Sequence, residues 1–356
     1  MKKHIRLLKL LTLSLVLSAP LVSLATGGGN PDDSKKTRVI NRSYNVTAED
    51  KLQIDNSFGD VTVTTWDQLK ITVDIEIGAR ASTDEKAQNI LDQIDVKEDK
   101  SEHNISFRTH VGEIHNQNGS HRGDGGDNRT FYIDIVIHMP AVNPLDVHND
   151  FGKTQIPDLK GMTNLTSKYG SLTAGNLANV GTIDVEFGKC NIGDINNGKI
   201  ILQYDGTSRI GKISGNVRIN SEFSSHVQIN VGKKQDLNVT ESYSGIRMVV
   251  DKDISAQITI HTNFGEFRNE SEFTIKEKNE DDEGGPKFDR DYSGTLNDGK
   301  AQIKVKSEFG SLRLSTFGDD NGDDDRDNKN KHKDKDKNKQ KDKEKDKDND
   351  SEVSVS

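Results

Sequence analysis

Among the side chains able to ligate a metal in the stretch THVGEIHNQNGSHRGDGGDNRT are His110, His115, His121, Asp124 and Asp127. Three imidazoles with two carboxylates are donors that suit a divalent transition metal. Their spacing matches no zinc or calcium signature, and the surrounding Gly, Asn and Asp spell a hairpin tip, so no metal ligand is assigned. On the same loop, Arg122-Gly123-Asp124 forms an integrin-type tripeptide, a pattern that chance supplies too readily to assign a receptor. Glu186 and Glu222 hold equivalent places in a recurring pattern, and a carboxylate pair is what glycoside chemistry requires. Two strand spacings would set them roughly 10 Å apart, too far for a retaining pair and marginal for an inverting one. Cys190, the single cysteine, sits at an alternating apolar position and reads as a small core residue rather than a nucleophile. No G-x-S-x-G, H-E-x-x-H or phosphate-binding glycine loop occurs, and the acidic run from Asp319 to Asp327 lacks EF-hand spacing. The expectation is a non-enzymatic chain with no catalytic residue and no cofactor.

Stronger than any of these is a repeat. Apolar alternation leads to an aromatic, then glycine or a turn former, then more alternation, as in LQIDNSFGDVTV (52–63), LDVHNDFGKTQI (145–156), IDVEFGKCNI (183–192) and IKVKSEFGSLRL (303–314). The aromatics are Phe58, Phe151, Tyr169, Phe187, Tyr204, Phe223, Tyr243, Phe264 and Phe309, with a degenerate copy around Tyr292. Period-two alternation predicts strands. A repeat of ~18–20 residues predicts a stack in which each unit covers its neighbour. The expected fold class is therefore all-β, a β-solenoid, with the aromatics as one ladder of inward rings ordered as in sequence. Gly59, Gly152, Gly170, Gly188, Gly265 and Gly310 are expected to turn the corner, by a bend or a positive φ. An inward Phe187 would lose ~3–5 kcal/mol on truncation to Ala.

Residues 64–140 break the period. LKITVDIEIG, NISFRTHV and TFYIDIVIHMP read as strands, and a capping box at Ser82 and Glu85 opens an amphipathic helix over about 82–95. A stack must shield its open edge, so the β-rich region 39–140 is read as an N-terminal βαββ-like cap. Residues 141–318 carry the repeats. Before them, Lys2, Lys3, Arg6 and Lys9 precede an apolar run ending in Ser23-Leu24-Ala25, a secretory leader over 1–25, followed by a linker over 26–38. Residues 319–356 are a Lys/Asp-rich segment with nothing apolar to bury, expected to be disordered. The leader cations separate a formal charge of −9 for the chain from −13 after cleavage. An acidic chain does not suit nucleic acid, and no segment is apolar enough to span a bilayer.

NSFGDVTV, MPAVNPLDVHNDFG and the YGSLTAGNL units resemble the bacterial putative-adhesin domain family over roughly residues 40–317. The resemblance implies an exported β-solenoid but defines no binding residues. The expected role is adhesin-like, with an envelope component, glycan or surface protein as partner, in the periplasm or at the cell surface. A periplasmic structural or envelope-stress accessory and a carbohydrate-active β-helix enzyme are the alternatives.

Overall fold

The computed structural model describes residues 33–112, 131–278 and 288–317. These residues are all-β apart from one helix. Strands β1 (Ser34–Asn45), β2 (Lys51–Ser57), β3 (Val61–Thr65) and β4 (Lys70–Ala81) precede α1 (Asp84–Asp92). After it come β5 (Ile94–Lys100), β6 (Asn104–Val111) and β7 (Phe131–Met139). The repeats then alternate a strand before the aromatic with a short strand after it: β8 (Leu145–Asp150), β9 (Lys153–Ile156), β10 (Leu159–Lys168), β11 (Ser171–Ala174), β12 (Leu177–Glu186), β13 (Lys189–Ile192) and β14 (Ile195–Gln203). In β15 (Thr207–Glu222) and β16 (His226–Ser242) the after-strand of one repeat runs directly into the before-strand of the next. The remainder comprises β17 (Gly245–Val250), β18 (Ala256–Asn263), β19 (Glu266–Asn269), β20 (Lys276–Glu277), β21 (Asp289–Leu296), β22 (Ala301–Glu308) and β23 (Ser311–Thr316).

Pairing is parallel through the repeats, with like residues in register. Leu165 meets Val147 on one side and Ile183 on the other, and Ile183 meets Ile200. On the short strands Leu172 meets Thr154 and Cys190. Alternation decides the faces. Val185 and Ile183 point inward from β12, Cys190 and Ile192 from β13, and all belong to one apolar core. Burial pushes the Cys190 thiol up to about 12, in keeping with a core residue.

The two ends depart from this pattern. At the N-terminal end β5 lies antiparallel on β6, and β4 lies antiparallel on both β7 and β1. Strand β1 begins at Ser34, inside the segment expected to be linker, and β5 was not foreseen. The helix is shorter than expected. Its N-cap is Thr83, whose hydroxyl accepts from the Lys86 N–H, in place of the Ser82–Glu85 box. Ala87 and Leu91 are its buried residues, while Ile94 already belongs to β5.

At the C-terminal end the spatial order leaves the sequence order. Strand β22 lies between β16 and β18, pairing Ile303 with Leu237 and with Ile258. Likewise β23 lies between β17 and β19. Strand β21 then closes β18 in the antiparallel sense, which removes Tyr292 from the repeats altogether.

Candidate functional site

Every ring of the repeat points out of the core, against expectation. Phe187 is 45% exposed, and the described column runs from 44% at Phe151 to 53% at Phe264, with Phe58 half-buried. The register explains it. The buried positions are Val185 and Cys190, so the corner inserts Phe187 and Gly188 between two inward residues.

The rings still form a single column. Centroids lie 5.1 Å apart from Phe58 to Phe151, 4.9 Å to Tyr169, 5.0 Å to Phe187, 4.7 Å to Tyr204, then 5.0 Å to Phe223 and to Tyr243. Interplanar angles there are 2–5°. Near-parallel planes at this separation are the offset stack that the ring quadrupole favours. Tyr243 then stacks on Phe309 (4.9 Å), and Phe309 on Phe264 (5.0 Å), so the expected Tyr243–Phe264 neighbours are separated by the inserted repeat. Phe288 extends the column past Phe264, and Phe131 meets Phe58 edge-on at the other end. With strands ~4.8 Å apart, the column is roughly 40–45 Å long.

The positive φ belongs to the aromatic, not to the glycine. Phe58, Phe151, Tyr169, Phe187, Tyr204, Phe223, Tyr243, Phe264 and Phe309 all lie between 50° and 64°. This region is disfavoured for a bulky L-residue. Two interactions hold it. Each ring is sandwiched, and each aromatic N–H reaches the neighbouring repeat, as in Tyr169 to Glu186 O (3.0 Å) and Phe187 to Gln203 O (2.9 Å). The glycine is needed for close approach instead. A Cβ on Gly170 would stand 1.9 Å from the Gly152 carbonyl oxygen.

Where glycine is missing, polar side chains fill the corner. The Gly188 N–H donates to Asp205 Oδ1 (3.3 Å), and Ser208 donates to Asp205 Oδ2 (2.6 Å). Burial raises the Asp205 carboxyl. The Ser224 N–H donates to Ser244 Oγ (3.1 Å). Directly inside the corner runs a buried file with polar members at both ends. Asn56 donates to Asn149 Oδ1 (3.1 Å) at one end. At the other, Ser307 donates to Glu241 Oε1 (2.5 Å), while Glu241 Oε2 has no hydrogen-bond partner among the described residues. Burial, only partly offset by hydrogen bonds from Ser307 and the main chain at Ser244, pushes the Glu241 carboxyl up to about 7.

The sheets flanking the column differ in charge. Before the rings, opposite charges meet, Lys168 with Glu186 (3.0 Å) and Lys306 with Glu308 (2.6 Å), and the His148 ring lies 3.1 Å from Asp150. Gln203 donates to Glu222 (3.2 Å). Glu186 and Glu222 each pair in register with Gln203, so two strand spacings separate them as expected, and both are engaged by a neighbour. After the rings, the outward positions carry Lys153, Lys189, Arg209, Arg247, Arg313 and Arg268.

His110 is exposed on β6, while His115, His121, Asp124, Asp127 and the Arg122-Gly123-Asp124 tripeptide lie outside the described residues, as do the leader and the Lys/Asp-rich segment. Among the described residues no group of three or more His, Cys, Asp and Glu could hold a metal, and no helix is long and apolar enough to cross a membrane. The exposed column, Phe288 and the arginines were not foreseen. The arginines recur four or five positions after an aromatic, a signal that aligned repeats contain.

Similar proteins are found among solved structures. A putative adhesin from Bacteroides fragilis is 12% identical and covers 79% of this chain and 97% of its own, at TM-score 0.35. A putative cell adhesion protein from Clostridium sporogenes is 12% identical over 79% and 100%, at TM-score 0.22. A putative lipid binding protein from Parabacteroides distasonis is 11% identical over 81% and 98%, at TM-score 0.26. Superposition this loose transfers neither a ligand nor a residue role. No protein-family model and no curated protein matches the chain.

Proposed function

We propose that the chain is an exported, non-enzymatic β-solenoid of ~18–20-residue repeats whose long outer corner is an adhesin-like contact surface for an envelope component. The exposed ring column carries this reading. An apolar strip this long on a solvent-facing corner is the kind of feature that marks an interaction surface. Its rings offer edges, since their faces are covered by one another, so the strip suits an extended partner lying along it. The adhesin-like neighbours agree with this role.

The test is binding of labelled protein, lacking the leader, to intact cells. Phe187→Ser, Tyr204→Ser and Phe223→Ser together should lower binding at least tenfold while the circular dichroism stays β. Undiminished binding would remove the column from the function. Protease shaving of intact cells decides between the surface and the periplasmic accessory role, since only a surface protein is cut. For the carbohydrate-active alternative, sugar release from a glycan panel that Glu186→Gln or Glu222→Gln abolishes would overturn the non-enzymatic reading.

A further inference from the structure

We infer that the outward face after the ring column is a binding site for an acidic polysaccharide, read chiefly by Arg209, Arg247, Arg313 and Arg268. The inference names the ligand class of the proposed contact surface and rests on that reading.

The arginines share one row. Arg247 pairs in register with Arg313, and Arg313 with Arg268, on three neighbouring strands. On the other side Arg247 pairs with Gln228, and Gln228 with Arg209. In sequence they close YDGTSR, YSGIR, FGSLR and FGEFR, so the row is set by the repeat itself. Guanidiniums at strand spacing repel one another, and a line of anions ~4.8 Å apart would relieve that repulsion. Arg268 meets Glu266 (2.8 Å), Arg313 meets Glu270 (3.2 Å) and Arg247 also has a partner, so the row is partly compensated, while Lys153 and Lys189 add further bases on the same face. In a chain of acidic net charge this row still brings four arginines into register, which marks a directed field rather than general stickiness.

Three features favour a polysaccharide over other polyanions. The row is straight and periodic, as a linear polymer demands. Beyond Arg209 it continues as Asn191, Thr173 and Gln155, neutral groups that hydrogen-bond hydroxyls. Between the arginines and the rings stand Gly245 and Ser311, small residues paired in register beside the stacked Tyr243 and Phe309. A sugar chain lying over them would set its C–H edges against the rings and its carboxylate or sulfate groups against the planar forks, which bind such groups bidentately.

Calorimetry with the protein lacking its leader tests this, using polygalacturonate, dextran sulfate and neutral dextran as probes. Binding to the charged polymers and not to neutral dextran is expected. Arg209→Ser, Arg247→Ser, Arg313→Ser and Arg268→Ser together should weaken it at least tenfold. Lys168→Ser, Lys199→Ser, Arg218→Ser and Lys304→Ser, which remove the same charge from the other face, should change it less than threefold. Should the arginine quadruple fail to fold, the exposed pair Arg209→Ser and Arg268→Ser should still weaken binding at least threefold. No binding to either polymer, equal loss in both quadruples, or tighter binding to phosphatidylglycerol vesicles or single-stranded DNA would overturn the inference. Failure of the cell-binding test alone would leave it standing, because the polymers are presented to purified protein.

Discussion

The two ends of the parallel array are closed by the same device and sealed with different chemistry. Antiparallel strands cover β6 and β7 at one end, through β5 and β4, and β18 at the other, through β21, while β19 has β23 as its one strand partner among the described residues. Inside, the N-terminal end is packed with aliphatic side chains, including the fully buried Ile75, Ile77, Ile133, Ile135 and Ile137, and its polar pair, Asn56 and Asn149, is hydrogen-bonded. The C-terminal end is aliphatic too, with Ile258, Ile260, Leu296 and Ile303 buried, but it also holds Glu241 on β16, a buried carboxyl with one oxygen unpartnered among the described residues. Aliphatic packing is indifferent to pH. Packing around a buried carboxyl is not.

The largest effect should come from the N-terminal end. Ile135→Ala should cost ~2–5 kcal/mol in urea unfolding, equally at pH 5 and pH 9; a loss that changes with pH would erase the contrast. Next is the carboxyl end. Its folded pKa is raised above the unfolded value, so the stability it contributes is complete below about 4.5 and falls as pH passes about 7. Hydrogen exchange of β22 amides should quicken between pH 5 and pH 9 beyond its intrinsic dependence, by the equivalent of about 3 kcal/mol. Glu241→Gln should flatten that excess, and an excess that survives would place its origin elsewhere.

Between the ends, close approach should matter more than ring burial. Gly170→Ala should cost ~1–3 kcal/mol because its Cβ meets a backbone carbonyl. Gly206→Ala, whose Cβ meets nothing nearer than 3.6 Å, should stay within about 0.5 kcal/mol of wild type. Equal costs would mean the repeats can spread apart freely. At the column a loss of ~1–2 kcal/mol is expected for Phe187→Ala. Phe187→Gly should cost less than Phe187→Ala, because glycine accepts a φ of 53° without strain. The ordinary order, with glycine worse, would show that the left-handed corner is not maintained.

Strand periodicity and the aromatic repeat were legible in the sequence because each depends only on local alternation. The direction of the rings was not, since Phe187 follows Val185 at an interval of two and so counts as inward until a left-handed residue resets the alternation. Nothing in the type Phe announces φ of 53°, and glycine beside it drew the conformational role to the wrong residue. The position of β22 was hidden for another reason. Local pattern says that IKVKSEFGSLRL is a repeat, but not which neighbours it joins. Tyr292 resembled a repeat aromatic for want of the same information, and its ring packs on Phe267 instead (5.0 Å). Three of the arginines align when the repeats are superposed by aromatic, and Arg209 joins them once they are superposed by corner, because Asp205-Gly206 adds a residue before it.

The insertion of β22 and β23 has a consequence for how the protein is made. Strands β18 and β19 are synthesised before the segment that must lie between them and β16–β17, so the array cannot be laid down in strict order of synthesis. Until residues 301–316 arrive, β16 and β18 each lack a partner on one side, as do β17 and β19, and the buried carboxyl of Glu241 lacks the Ser307 hydroxyl. That segment is a keystone. A polypeptide cut short before it would keep four unsatisfied strand edges, whereas one that includes it locks all four in a single step.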